Sequence, residues 1–182
     1  MGLEPHGGGA PSAWIQRFAH LIPAGGRVLD LACGRGRHAR YLSQRGCSVL
    51  AVDRDATALE ALAGTPGVDI LRADLENAPW PLGGERFDGV VVTNYLHRPL
   101  LPLLSACLVP DGALLYETFM LGNERFGRPS NPDFLLQPGE LWDAFSPVMQ
   151  VVAFEQGLAG DPPVAAVQRL AAVGPQGLPR LA

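Results

Sequence analysis

The residues with the most chemical content lie between Val28 and Ala39, VLDLACGRGRHA, where Asp30 precedes a turn carrying Gly34 and Gly36. Glycines at such a turn permit positive φ and let backbone approach a ligand, whose negative end can rest on the free amides of the following helix. The chemistry implied is the binding of a nucleotide-like cofactor. Gly34, Gly36 and Ala39 also satisfy the dinucleotide spacing G-x-G-x-x-G/A, and Asp53 follows Gly34 by 19 residues. An acid there accepts hydrogen bonds from ribose hydroxyls in either case, so Asp53 alone leaves both cofactors open.

Asp30 separates them. A pyrophosphate-binding turn would suffer repulsion from a carboxylate four residues before its first glycine. A ligand bearing an ammonium group reverses the sign, with an attraction of about 4 kcal/mol at roughly 4 Å before desolvation is subtracted. S-adenosylmethionine carries an ammonium, a carboxylate, a ribose and an adenine.

The pattern D-x-A-C-G-x-G, then Asp53 closing a second strand and Asp74 closing a third, resembles the class I S-adenosylmethionine-dependent methyltransferases. Ala73-Asp74-Leu75-Glu76, Pro79-Trp80 and Phe87-Asp88 are similar to that family's third-strand and fourth-strand motifs. The resemblance implies S-adenosyl-L-methionine as cofactor, with Asp30 near its methionine moiety, Asp53 on the ribose and Asp74 at the adenine amino group. It extends the expected cofactor contacts to Ala32, Cys33, Gly34, Gly36, Arg54, Leu75 and Asn94. The short chain and the D-x-A-C-G-x-G-R turn are similar to the branch that includes tellurite-resistance and thiol methyltransferases. A plain structural alternative exists for Asp53 and Asp74, since a strand-end Asp often only caps the next helix. Two rival functions stay open: an NAD(P)-dependent oxidoreductase, and a non-catalytic S-adenosylmethionine-binding regulatory protein.

These residues need a frame to hold them. Trp14, Phe18, Leu21 and Ile22 recur at helical spacing after Ser12, a cap, and the helix ends before Pro23. Strands are expected at 27–32, 48–53, 68–73, 87–93 and 113–119, with helices at 36–45, 55–63 and 100–108. Such alternation implies right-handed βαβ units and a parallel sheet covered on both faces. Further strands at 148–154 and 164–173 read as a closing hairpin, turning at Gly157, Gly160, Asp161, Pro162 and Pro163, after a short helix at 139–145. The expected fold is α/β: a doubly wound, Rossmann-like methyltransferase fold with a seven-stranded, mostly parallel sheet and a C-terminal antiparallel hairpin. Residues 1–11 read as a flexible leader, 12–182 as one domain and 120–138 as a lid insertion.

Ligands of open α/β sheets sit at the carboxyl ends of the strands, so Thr93-Asn94-Tyr95-Leu96-His97-Arg98 should face the transferred methyl. Tyr95 and His97 could orient or deprotonate an acceptor, and Glu117 has similar access. As a purely structural residue, Glu117 would pair with Arg125 or Arg128. The expected partner is a small-molecule acceptor. If the insertion is a lid, Arg125 and Arg128 favour an anionic one. The absence of an N-P-P-Y-like motif after the fourth strand argues against a planar amino-group acceptor. Arg35, Arg37, His38 and Arg40 read as solvated or helix-surface residues, and no histidine or cysteine spacing suits a metal.

Composition narrows the classes further. In 182 residues, 47% apolar content supplies one ordinary core, and 14 basic against 18 acidic residues leave a net charge of −4. That balance disfavours a nucleic-acid-coating surface and leaves the oligomeric state open. All 14 basic residues are Arg; without Lys, Schiff-base and P-loop chemistry are excluded. Three scattered cysteines, no signal-like start and no long apolar run suggest a reduced, cytoplasmic setting without a membrane span.

Overall fold

A computed structural model describes residues 9–178. The expected leader therefore lies outside the described residues except for its last three positions.

Five strands rich in Val, Leu and Ala line up in parallel: β1 (Arg27–Leu31), β2 (Ser48–Asp53), β3 (Val68–Arg72), β4 (Phe87–Thr93) and β5 (Leu108–Phe119). β6 (Gln150–Ala159) and β7 (Ala165–Val173) complete one sheet in the order β3-β2-β1-β4-β5-β7-β6. β7 is antiparallel to both its neighbours, β5 and β6. The order reverses at β1, which pairs with β2 on one side and β4 on the other. That reversal opens a crevice beyond the strands' carboxyl ends, where α/β sheets bind ligands.

The helices are short: α1 (Ala13–Phe18), α2 (Arg37–Gln44), α3 (Ala56–Glu60), α4 (Leu101–Ala106) and α5 (Glu140–Phe145). The Ser12 hydroxyl accepts from the Trp14 amide and starts α1, which runs into a 3-10 turn over Ala19–Leu21. Apolar side chains form a core on each sheet face, one around Leu29, Val90, Leu114 and Phe145, the other around Ile15, Val28, Leu42 and Leu115. The central strands read as nearly continuous apolar runs because both their faces are covered.

Two boundaries differ from expectation by more than three residues. β5 begins at Leu108, which pairs with Phe87, so the preceding helix ends at Ala106. β6 runs on through Gly157, which pairs with Val167, instead of turning there.

Candidate active site

The carboxyl ends of β1, β2, β4 and β5 surround a cavity of about 900 Å³, within the range of small-molecule and cofactor sites. At its base is the turn after β1. Gly34 adopts φ +54°, and Gly36 caps α2 at φ +74°. A Cβ on Gly36 would lie 2.3 Å from both methyl carbons of buried Leu62, so packing as well as φ demands glycine there. Among the described residues, two other than glycine take left-handed backbone: Ala32 (φ 53°) after β1 and Asn94 (φ 54°) after β4. Both line the cavity. Such conformations cost energy and concentrate at ligand sites.

Asp53, at the end of β2, accepts from the Gly34 amide at 2.7 Å and from the Asp55 amide at 2.9 Å. Asp55 in turn caps α3, so the capping role belongs to Asp55. Asp74 accepts from the Glu76 and Asn77 amides and from the Asn77 side chain, at 2.9 to 3.1 Å. These bonds hold its carboxyl below the usual range. Both acids line the cavity, beside Ala32, Cys33, Gly34, Arg54 and Leu75.

Asp30 lies behind this lining. Its side chain is buried, Oδ2 has no hydrogen-bond partner, and it is not itself a lining residue. Burial raises its carboxyl to about 7, opposed by an Ala39 backbone contact and the nearby Arg37 charge. An unsatisfied carboxylate in a core is costly. Under the turn that faces the cavity, it supplies a negative field suited to a cationic ligand.

The expected catalytic residues separate. Tyr95 lines the cavity, and its hydroxyl is buried without a hydrogen-bond partner. Desolvation pushes that hydroxyl above its usual pKa, helped by the Glu76 charge, so it is protonated at neutral pH. His97 is half-buried in the same loop but is not a lining residue. Glu117 is buried and does not line the cavity either. It accepts from Arg169 at 2.5 Å and from the Ser12 hydroxyl at 2.8 Å, so its ionic partner is Arg169 on β7, not Arg125 or Arg128.

His38 departs from the surface role expected of it, whereas Arg35 is exposed as expected. His38 is buried; its Nε2 accepts from the Ser12 amide at 3.1 Å and its Nδ1 lies 3.3 Å from the Thr93 hydroxyl. Burial lowers its pKa to about 3, with Arg37 adding to the effect, so the ring is neutral. Arg35 and Arg37 line the cavity. No local pattern marks the partners of His38, which stand 26 and 55 residues away in the chain.

The segment from Met120 to Pro138 forms one wall through Arg128, Pro129, Ser130, Asn131 and Phe134. Its ends are tied to the sheet: Leu121 donates to the Leu136 carbonyl, Leu136 to the Phe119 carbonyl, and buried Asn123 accepts from the Ala166 amide. Arg98 braces it from below. Its guanidinium forks onto Glu140 at 2.7 and 3.0 Å and donates to the carbonyls of Asp133 and Leu135 at 2.7 and 2.9 Å.

This topology and this site are those of the fold of class I S-adenosylmethionine-dependent methyltransferases, which the chain resembles. Residues 28–112 match a methyltransferase domain family. An uncharacterised methyltransferase of Mycobacterium tuberculosis is 36% identical over 117 residues, covering 59% of this chain and 58% of that protein. A tRNA U34 carboxymethyltransferase of a Geobacter species is 29% identical over 125 residues, covering 62% of this chain and 38% of that protein. The chain thus spans less than two thirds of either relative. Among solved structures, TehB of Haemophilus influenzae has the same fold, with a TM-score of 0.75 at 18% identity over 90% of this chain and 62% of that one.

The class implies S-adenosylmethionine as cofactor, and the residues present fit it. Asp53 and Asp74 offer acceptors for hydroxyl and amino groups, and Asp30, whose Oδ2 has no partner, offers compensation for a cation. Among the described residues no cluster of three His, Cys, Asp or Glu could hold a metal. No helix of the described residues is long and apolar enough to cross a membrane.

Proposed function

We propose that this chain transfers a methyl group from S-adenosylmethionine to a small-molecule acceptor. The observation that carries this is the cavity itself. Asp53 and Asp74 sit at two of its strand ends, the glycine turn forms its base, and the 128–134 wall encloses space beyond them. A walled site of this size suits a cofactor and a compact second reactant better than a polymer. The net charge of −4 also disfavours a nucleic-acid acceptor.

Asp53 is proposed to bind the ribose, Asp74 and Leu75 the adenine, and Ala32, Cys33, Gly34, Arg54 and Asn94 to complete the cofactor contacts, with Gly36 shaping the turn. Asp30 acts from beneath as an electrostatic anchor. When bound, the cofactor would supply an electrophilic methyl on its sulfonium, for transfer to a lone pair of the acceptor. The protein's part is to hold the reactants in line and exclude water. Tyr95, a lining residue of the post-β4 loop, is proposed to orient the acceptor. His97 and Glu117 support the loop and the sheet end in this reading.

Calorimetric titration with S-adenosylmethionine, S-adenosylhomocysteine and NADH tests the cofactor: the first two should bind and NADH should not. Incubation with methyl-labelled cofactor and separated metabolite and RNA fractions of a cell extract tests the acceptor. Label should enter the metabolite fraction; incorporation into RNA alone would overturn the small-molecule reading.

A further inference from the structure

Charge is spread unevenly around the cavity. Its acidic lining residues, Asp53, Asp55, Asp74 and Glu76, lie at or just after the ends of β2 and β3, and three of its cations, Arg35, Arg37 and Arg54, lie at the glycine turn or beside those acids. The wall from the 120–138 segment contributes no acid to the lining. It contributes one cation, Arg128, and an apolar ring, Phe134, which is 48% exposed. Among the described residues Arg128 has no hydrogen-bond or ion-pair partner, whereas Arg98, beneath that segment, makes four hydrogen bonds to three residues. Phe119, at the end of β5, adds a second ring to the lining.

A second observation gives the polar lining a fixed sense. His38 Nε2 accepts from the Ser12 amide, so the neutral ring carries its proton on Nδ1 and donates it to the Thr93 hydroxyl. The hydroxyl has accepted one bond and keeps its own proton free, and Thr93 is a lining residue of the cavity. Thr93 is thereby set as a donor, which favours electron-rich groups there.

Resting on the methyltransferase reading above, we propose that the acceptor is a small carboxylate with an apolar body, its charge taken by Arg128 and its body by Phe134 and Phe119. A guanidinium presents a planar fork matched to a carboxylate, and the aromatic surface left open to solvent gains from being covered.

Benzoate and its neutral isostere benzamide are suitable probes, titrated into the protein saturated with S-adenosylhomocysteine and followed through the amide resonances of Asn94, Ser130 and Asn131. Benzoate should bind roughly tenfold more tightly than benzamide, as one charge-assisted pair supports. Arg128→Gln should abolish that preference, and Arg125→Gln, whose side chain is not part of the lining, should retain it. Equal binding of the two probes, no measurable benzoate binding, or a preference that survives Arg128→Gln would overturn the proposal. Calorimetry with S-adenosylhomocysteine separates the two readings: failure to bind it removes the cofactor assignment, while normal binding without benzoate preference removes only the acceptor class.

Discussion

The amide of Gly34 donates to Asp53 at 2.7 Å, joining the turn after β1 to the end of β2 across 19 residues. The acid that would grip the cofactor ribose is thus also the strut that shapes the turn on which the cofactor would lie. Replacing Asp53 with Ala should weaken S-adenosylmethionine binding by about 10- to 100-fold, the scale of a lost charged acceptor. Asp53→Asn should lose less, because its remaining oxygen can still take the Gly34 amide. Calorimetry on both variants checks this.

Asp30 and His38 should impose opposite pH slopes on stability. The Asp30 carboxyl is raised from 3.8 to about 7, so its contribution falls as pH rises between those values. The His38 ring is lowered from 6.5 to about 3, so its contribution falls as pH drops through that window. The slopes largely cancel in the wild type between pH 4 and 6.5. Asp30→Asn should leave Tm rising with pH over that range, and His38→Gln should leave it falling. At pH 8 Asp30→Asn should raise the Tm of the free protein by about 2–4 °C or more, since roughly a kcal/mol or more of buried charge is removed. The same variant should bind S-adenosylmethionine more weakly. Thermal melts from pH 4 to 8 distinguish these outcomes.

Arg98 holds the cavity wall in place through a fork no other cationic side chain reproduces. Arg98→Lys should cost about 1–2 kcal/mol, a value reduced by the partial exposure of the pair. Hydrogen exchange should accelerate across residues 126–134, while S-adenosylhomocysteine affinity changes less than about threefold. Unchanged exchange there would remove the bracing role.

Gly36→Ala should destabilise the fold by about 2–5 kcal/mol, combining left-handed backbone with overpacking against Leu62. Leu62→Ala in the same chain should recover part of the loss by making room. Denaturant unfolding of the single and double variants measures the coupling.

Where chemistry was local, the linear chain disclosed it. The runs 48–53 and 87–93 have the bounds observed for β2 and β4, because an apolar strand interrupted by polar or glycine residues is a short-range signal. The turn glycines and the strand-end acids were legible for the same reason. Pro110, Asp111 and Gly112 carry no local strand signal, and it is the pairing of Leu108 with Phe87 that carries β5 across them. Gly157 misled in the same way, since its partner Val167 belongs to another strand. His38 was misplaced on the surface because its burial depends on Ser12 and Thr93, neither within its own helix. Glu117 was given the wrong ionic partner because Arg169 lies 52 residues further on, beyond any local pattern.

The indole of Trp14 donates to the Leu170 carbonyl at 3.2 Å, 156 residues away, and Leu170 lies on the strand inserted between β5 and β6. A ribosome would release the first helix long before the strand that receives it exists. The emerging chain must therefore leave the Trp14 indole without its acceptor, and the α1 face only partly covered by β5 and its neighbours, until β7 has been made. Contacts this distant slow folding and prolong exposure of sticky surface. Nascent chains stopped before residue 165 should accordingly be captured by chaperones that recognise apolar helices, and chains extended past residue 173 should escape them.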